Sequence, residues 1–427
     1  MIQKAPKHDP YAALRVRNFR LYILTRLVNN IGFQIFDVAV AWQIYSLTKD
    51  PLSLGLVGLC VAVPAISISL YGGHISDRKN RRTITIVMLY LLTLNAIILL
   101  VISLNVHEIY AIYGTAPFYI ILFLGGLESG LLAPSIIAFS YLLIPQEHAP
   151  NASAWRSSSW QLAAIAGPAL GGLLYGFMGA TGTYVVSASL TFSGTLLIWF
   201  IPSQPIASSK SEETVYDSLK KGIHFVFKNQ VIVGALSLDL FAVLFGGAVA
   251  MLPIYASDIL VIGPQGLGIL RASPAIGAVV VAFWMAHRPL RGAVGKKLLL
   301  AVIGFGLTII VFGVSKSLVL SISMLALGGG FDSVSVIVRS TLLQLSTPNN
   351  MRGRVEAVNM MFIGSSNEVG AFESGVAAKL MRVVPSVVFG GCMTLLSVGV
   401  TSKIAPVLRN LQYEELLCRA QIAKETK

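Results

Sequence analysis

Nine charged side chains stand inside long apolar stretches of the 427-residue sequence. A charged side chain at the centre of a membrane costs about 2.5–3.5 kcal/mol on insertion scales, so such residues are expected to face a polar cavity or one another. A carboxylate there can take up and release a proton, and a guanidinium can bind an anion or pair with a carboxylate. The nine residues are Arg26, Asp37, Glu128, Asp239, Arg271, Asp332, Arg339, Glu368 and Glu373.

The stretches that hold these charges predict membrane-spanning helices. Hydrophobic residues make up 55% of the chain and charged residues only 12%, about half of the charged fraction of an ordinary soluble domain. A crossing needs roughly 20 apolar residues, and the sequence holds twelve such runs, six on each side of a polar stretch at residues 202–229. Helices are expected because the runs lack the alternating pattern of outer-membrane barrels.

The basic residues predict the orientation. With both termini in the cytoplasm, cytoplasmic segments hold 25 of the 32 Lys and Arg residues and the outer loops hold four. Since cytoplasmic loops collect Lys and Arg, this pattern predicts a multi-pass protein of a bacterial inner membrane with both termini cytoplasmic. It also explains the net charge of +13 without a nucleic acid as partner.

An internal repeat divides the chain. An offset of 203 residues aligns Gly172 with Gly375, and an offset of 210 aligns Gly58 with Gly268. Parallel repeats of this kind are typical of proteins in which a central site opens to each side in turn. The expected units are a six-helix bundle (1–202), a cytoplasmic linker with an amphipathic helix (203–229), a second six-helix bundle (230–405) and a cytoplasmic tail (406–427). An unstructured linker is the alternative.

Residues 72–82, between the second and third runs, read GGHISDRKNRR. This segment resembles the signature of the major facilitator superfamily, whose members are transporters with twelve helices in two halves; an ordinary basic loop is the alternative. The resemblance implies an inner gate in which an acid meets the positive end of the eleventh helix. We expect Asn80, which replaces a usual glycine, to adopt a left-handed turn conformation. The implied gate residues are Gly73, Asp77, Arg78, Arg81 and Arg82.

The fifth run contains a glycine-proline motif that is similar to the signature of the antiporter branch of that superfamily. Small residues at four-residue spacing also let helices pack closely, so generic packing is the alternative. Further similarity at residues 38–44 and 347–355 extends the resemblance to drug and siderophore exporters over almost the whole chain. The motif residues are Gly167, Pro168, Gly171 and Gly172.

Six of the nine charged residues fall on the first, fourth, seventh and tenth helices, which line the cavity in the superfamily. We expect Glu128 first, then Asp37 and Asp332, to couple to protons or bind substrate. The alternative is that each acid is a structural partner of an arginine, or that arginines near helix ends extend to the membrane surface. The remaining candidates for the cavity are Asp239, Arg26, Arg271 and Arg339.

The sequence therefore predicts an all-α membrane protein of the major facilitator type that exports a small amphipathic molecule, a siderophore or a drug, by exchange for protons. It predicts no enzyme activity, cofactor or metal site, because there is no phosphate-binding loop and no histidine pair with ligand spacing. We expect a monomer in the lipid bilayer. The alternatives are an importer of a siderophore or nutrient, a lipid flippase, and a receptor with this fold.

Overall fold

A computed structural model describes residues 9–203, 215–288, 290–348 and 351–418, and these residues form helices joined by short turns. We number the long helices by the crossings that they form. They are α1 (Arg17–Thr48), α2 (Pro51–Arg78), α3 (Arg81–Leu104), α4 (Ala116–Leu142), α5 and α6 (together Ala149–Trp199), α7 (Gln230–Phe245), α8 (Gly263–His287), α9 (Val294–Val314), α10 (Leu318–Ser346), α11 (Arg352–Met381) and α12 (Val383–Ile404).

The segment Ala149–Trp199 has the length of two crossings. Its 51 residues would extend about 76 Å as one helix, more than twice the thickness of the apolar layer. Gly179 interrupts it with φ of 66°, a backbone conformation that glycine adopts without a steric penalty. We therefore assign residues 149–178 to α5 and residues 180–199 to α6.

Nine helices in the described part of the chain are long and apolar enough to cross a membrane. Helices α1 and α11, which have 32 and 30 residues, hold four of the nine charged residues inside the apolar stretches and are less apolar. With these two included and Ala149–Trp199 counted as two, the helices are consistent with twelve crossings. We call the face at which α1 begins the terminal face, and the face at which α1 ends the far face.

Matching glycine contacts occur in the two sets of six helices. In the first set, a methyl group placed on Gly126 of α4 would lie 2.3 Å from the carbonyl oxygen of Val61 in α2. In the second, a methyl group on Gly329 of α10 would lie 2.0 Å from the carbonyl oxygen of Pro274 in α8. Contacts this close require glycine, and they are consistent with two related halves.

Helix α7 ends at Phe245, whereas the apolar run that begins at residue 231 continues in the sequence through residue 256 and predicts a single helix. Gly246 and Gly247 break it, and the chain continues as a 3-10 turn (Ala248–Met251) and a π-helical turn (Tyr255–Ile259). A side chain on Gly247 would meet Gly370 of α11 at 2.8 Å. The break thus lets α11 approach closely, which hydropathy alone does not indicate.

The segment between the halves contains a helix at Val215–Lys228, called here the linker helix. Val226 is 1% exposed and packs in a cluster with Ile232 and Val355 of the second half. A side chain on Gly222 would meet the carbonyl oxygen of Arg354 at 3.0 Å. The linker helix is therefore packed on the second half, at the start of α11.

Candidate functional site

An ion pair between Asp37 of α1 and Arg271 of α8 joins the two halves. The Arg271 side chain is 13% exposed and that of Asp37 is 40% exposed. The Nη1 atom of Arg271 donates to Asp37, while its Nε atom is buried with no hydrogen-bond partner in the described structure. The ion pair therefore leaves the Nε donor of Arg271, at the contact between the halves, without a partner among the described residues.

Beyond this pair, polar contacts between the halves continue to the far face. The hydroxyl of Tyr45 donates to Asp258, and Lys49 Nζ lies 3.7 Å from Asp258 Oδ1. Lys379 Nζ lies 2.8 Å from Asp50 Oδ2. These contacts fasten the ends of α1 and α2 to segments of the second half.

A shared apolar cluster surrounds these polar contacts. Val38 and Tyr45 from the first half pack with Met251, Leu267 and Phe312 from the second, and each of these side chains is at most 3% exposed. Burial of apolar surface at this level excludes water and stabilises the contact. The two halves are thus closed against each other at the far face.

The repeated glycines form close backbone contacts between the halves. A methyl group on Gly172 of α5 would lie 2.7 Å from Cα of Gly268 in α8. The corresponding residue in the repeat, Gly375 of α11, contacts Gly55 of α2 in the same way, at 2.9 Å. The pseudo-symmetry therefore places a tight helix crossing on each side of the Asp37–Arg271 pair.

The rest of the glycine-proline motif packs α5 against α1. A side chain on Gly167 would meet Cβ of Gln34 at 2.4 Å, and one on Gly171 would meet Cα of Ile35 at 3.1 Å. The carbonyl oxygen of Pro168 lies against Gly268 of α8. The motif thus places α5 between a helix of its own half and a helix of the other half.

A second ion pair lies inside the second half, between Asp239 of α7 and Arg339 of α10. The side chains are 8% and 4% exposed. Asp332 lines a pocket beside Asp239 and Ser335. The pocket has about 10 Å³ of room for the centre of a water molecule, which is close to the least that one water needs. It therefore fits a water or a small ion and excludes a substrate molecule.

Glu128 is buried within the first half. Its carboxylate accepts a hydrogen bond of 2.7 Å from Nδ2 of Asn95 in α3, and its residue exposure is 8%. This contact holds Glu128 between α3 and α4, away from the Asp37–Arg271 pair. Arg26 lies nearer the terminal face, where its Nη1 is 3.5 Å from the hydroxyl of Tyr22 in the preceding turn.

The predicted gate segment ends α2 and begins α3. Asn80 has φ of −64° and ψ of 111°, and its side chain caps α3 by accepting from the amides of Arg82 and Thr83. The expected left-handed conformation is therefore wrong, because the residue serves as a helix N-cap instead of a turn residue. The surroundings of Gly73 and the side chains of Asp77 and Arg78 lie outside the described part of the structure.

Arg82 contacts the end of α6. Its Nη2 donates to the carbonyl oxygen of Trp199 at 3.1 Å, and its guanidinium lies 5.7 Å from the centre of the Trp199 ring. The last carbonyls of a helix have no partner within the helix, and a cation there is stabilising. Arg82 thus caps a helix of its own half.

The contacts at the far face are not predicted from the sequence. Lys49 and Lys379 are two of the four basic residues expected in outer loops. Basic residues are scarce in outer loops, so the presence of these two lysines could have indicated that they pair with acidic residues at that face. Asn95, the partner of Glu128, gave no such signal. Among the described residues, no group of three His, Cys, Asp or Glu side chains is arranged to hold a metal ion.

Comparisons with known proteins agree with this arrangement. The model of the transmembrane secretion effectors, a family of the major facilitator superfamily, matches residues 8–425. The enterobactin exporter EntS of Shigella boydii serotype 4 is 26% identical over 396 residues, which cover 90% of each chain. The enterobactin exporter EntS of Escherichia coli O139:H28 is 25% identical over 394 residues, again 90% of each chain.

Solved structures of transporters share the fold. A D-xylose-proton symporter superposes with a TM-score of 0.70 at 14% identity, covering 92% of this chain and 99% of that chain. A bacterial homologue of the human lysosomal transporter Spinster, in an inward-facing and occupied conformation, has a TM-score of 0.64 at 13% identity and covers 98% of both chains. At these identities the likeness establishes the fold.

Proposed function

The chain belongs to the transmembrane secretion effector family, and we propose that it exports a small amphipathic molecule, a siderophore or a drug, from the cytoplasm in exchange for protons. As a member of this family it is a secondary transporter of the membrane. The export direction is supported by the curated relatives, which are named as enterobactin exporters.

The observation that carries the proposal is the closure of the far face around Asp37 and Arg271. The scarcity of basic residues in the far loops supports an assignment of that face to the periplasm, with both termini in the cytoplasm. In that orientation, a protein closed at the far face is in the state that takes up its cargo from the cytoplasm. This is the loading state that an exporter requires.

Proton coupling is proposed for the acids inside the membrane. Asp37 and Asp239 each form an ion pair with an arginine, and Glu128 accepts a hydrogen bond from Asn95. Asp332 has no hydrogen bond or ion pair in the described structure and faces a pocket of water size. Proton transfer needs a group reached by water, so Asp332 is the first of these acids to test.

The inner gate stays a proposal as well. Asp77 and Arg78 are proposed to bind the start of α11 when the terminal face closes, because an acid is stabilised at the positive end of a helix. Arg82 already has partners in α6, so we propose for it a supporting position at the end of its own half.

The test uses membrane vesicles from a strain that lacks its own siderophore and drug exporters. We expect everted vesicles with an acidic interior to accumulate metal-free enterobactin or the dye ethidium, and collapse of the proton gradient to abolish the uptake. Asp332→Asn should abolish gradient-driven uptake while keeping exchange of labelled for unlabelled substrate. Its control is Ser340→Ala, on the exposed side of the same helix.

Each alternative predicts a different result in the same vesicles. Accumulation confined to right-side-out vesicles would overturn export in favour of import. Movement of a fluorescent phospholipid between leaflets, without uptake of either solute, would identify a lipid flippase instead.

A further inference from the structure

Glu368 of α11 is a carboxylate inside the membrane with no hydrogen bond or ion pair in the described part of the structure. It points toward the other half: its Oε2 atom lies 2.9 Å from the position that a methyl group on Gly58 of α2 would occupy. Glycine at position 58 thus makes the room that the carboxylate occupies at the junction of the halves.

Glu368 belongs to the same charged cluster as the ion pair between the halves. Glu368 lies at the contact of α11 with α2 and within electrostatic range of Asp37, and Asp37 is bound to Arg271. The cluster therefore has two acids and one arginine. Only one of the acids, Asp37, contacts the arginine in this structure.

The three residues are divided unequally between the halves. Asp37 lies on α1 of the first half, whereas Arg271 and Glu368 lie on α8 and α11 of the second half. When the far face opens, α1 must move away from α8 and the Asp37–Arg271 contact must break. A guanidinium that is mostly buried is strongly destabilising without a counter-ion, so the open state needs another acid near Arg271.

We propose that Glu368 is this second counter-ion, so that Arg271 passes from Asp37 to Glu368 as the far face opens. The unpaired Nε of Arg271 supplies a donor for the incoming carboxylate. Both partners then belong to one half and move together. Asp37 is left as a free carboxylate facing the far side. Glu368 is in this sense a positioning residue for the transport cycle.

The two acids therefore have opposite effects on one equilibrium. Removing the charge of Asp37 weakens the far-closed state, and removing the charge of Glu368 weakens the far-open state. A residue that merely supports the fold would not produce this opposition. The proposal rests on the proposed function only in requiring that the chain alternates between two states.

The experiment measures the distance between spin labels on the far loops, at His107 of the first half and Lys316 of the second, both exposed. The full-length protein, with its three cysteines replaced by serine, is placed in lipid nanodiscs. We expect Asp37→Asn to raise the ratio of far-open to far-closed molecules about tenfold, and Glu368→Gln to lower it about tenfold, within the usual range of coupling between sites.

Glu373→Gln is the matched control, since it removes a carboxylate from the same helix and Glu373 has no contact with Arg271 in the described structure. It should leave the ratio unchanged. Glu368→Asp keeps the charge with a shorter reach and should lower the ratio by less than Glu368→Gln. It also serves as the test if Glu368→Gln does not fold.

A shift of Glu368→Gln in the same direction as Asp37→Asn, or no shift, would overturn the proposal. The measurement needs no substrate, so a failure to transport siderophores or drugs would leave it intact. A single distance in the unmodified protein under all conditions would instead overturn the two-state cycle on which both proposals depend.

Discussion

Lys379 Nζ lies 2.8 Å from Asp50 Oδ2, and the same Asp50 side chain caps α2 by accepting from the amide of Leu52. One carboxylate thus starts a helix of the first half and fastens it to α11 of the second. The two contacts use different chemistry, since the cap needs only a polar oxygen whereas the ion pair needs a negative charge. Substitutions can therefore separate them.

Substitutions at Asp50 and Lys379 should show this separation. Asp50→Asn and Lys379→Ala should each destabilise the far-closed state by about 0.2–1 kcal/mol, the range for exposed pairs, without adding in the double variant. Asp50→Ala should cost about 1 kcal/mol more, because it also removes the cap. Thermal unfolding in detergent measures the loss of stability, and distances between spin labels on the far loops measure the loss of the far-closed state. Equal effects of Asp50→Asn and Asp50→Ala would contradict the cap.

The crossing of α5 and α8 should tolerate no side chain at position 172. Gly172→Ala would place a methyl group 2.4 Å from the carbonyl oxygen of Pro264, so the halves must separate at the far face. We expect transport to fall at least about tenfold and the far-closed population to decrease. Gly399→Ala is the control, because a methyl group there meets no atom within 4 Å. Unchanged closure in Gly172→Ala would count against this crossing as the far-side seal.

The buried Asp239–Arg339 pair should respond strongly to loss of one partner. Arg339→Leu leaves an unpaired carboxylate and should lower stability by roughly 3–5 kcal/mol. The double variant Asp239→Leu with Arg339→Leu should recover most of that loss, since it leaves no buried charge. Fluorescence-detected size-exclusion after heating compares the three proteins. A double variant as unstable as Arg339→Leu would indicate that the pair has a role beyond mutual neutralisation.

The contact of the C-terminal segment with Gly292 should weaken at acidic pH. Hydrogen bonds from its own backbone amide and from the amide of Gly292 lower the pKa of the Glu414 carboxyl below the ordinary value of 4.5. Because the pKa is lower in the docked state, docking is fully stabilised above pH 4.5 and weakens as the pH falls through the lower value. A spin label on Cys418, which is exposed, should become more mobile over that interval.

Two variants test the assignment of this transition to Glu414. Glu414→Gln should make the label mobile at every pH, whereas Glu415→Gln should leave the transition unchanged. A transition that persists in Glu414→Gln would show that another group loosens the segment. Leu411 and Leu416 are 2% and 3% exposed in the cluster beneath it, so the segment should remain helical and attached at neutral pH.

Hydropathy and charge were sufficient to predict the helices and the division into halves, because both follow from the cost of placing polar groups in lipid. The same reasoning identified Asp37 and Arg271 as charged residues inside the membrane but did not predict that they pair. The two residues are 234 positions apart, and hydropathy does not indicate which face of a helix contacts which neighbouring helix. The break after Phe245 was also missed, because its residues are apolar and only the backbone hydrogen bonds change.

The repeated glycines predicted contacts between helices better than the charged residues did. The offsets of 203 and 210 residues identify Gly172 and Gly268, which meet across the halves. Their equivalents, Gly375 and Gly58, lie at the matching crossing. The closest contact of Gly375 is with Gly55, which precedes Gly58 by three residues, nearly one helical turn. A long charged side chain can reach several different partners, whereas a backbone contact through glycine fixes where two helices cross. Glycine positions therefore predict helix crossings better than charges predict ion pairs.

The position of the linker helix determines which half of the protein a ligand bound to that helix would affect. Val226 is buried among side chains of the second half, and Gly222 rests on the backbone of Arg354 at the start of α11. The linker helix therefore travels with that half as the halves rock. A protein or a modifying group that bound this helix would therefore act on α11, and so on Glu368, which lies about four helical turns along α11 from Arg354.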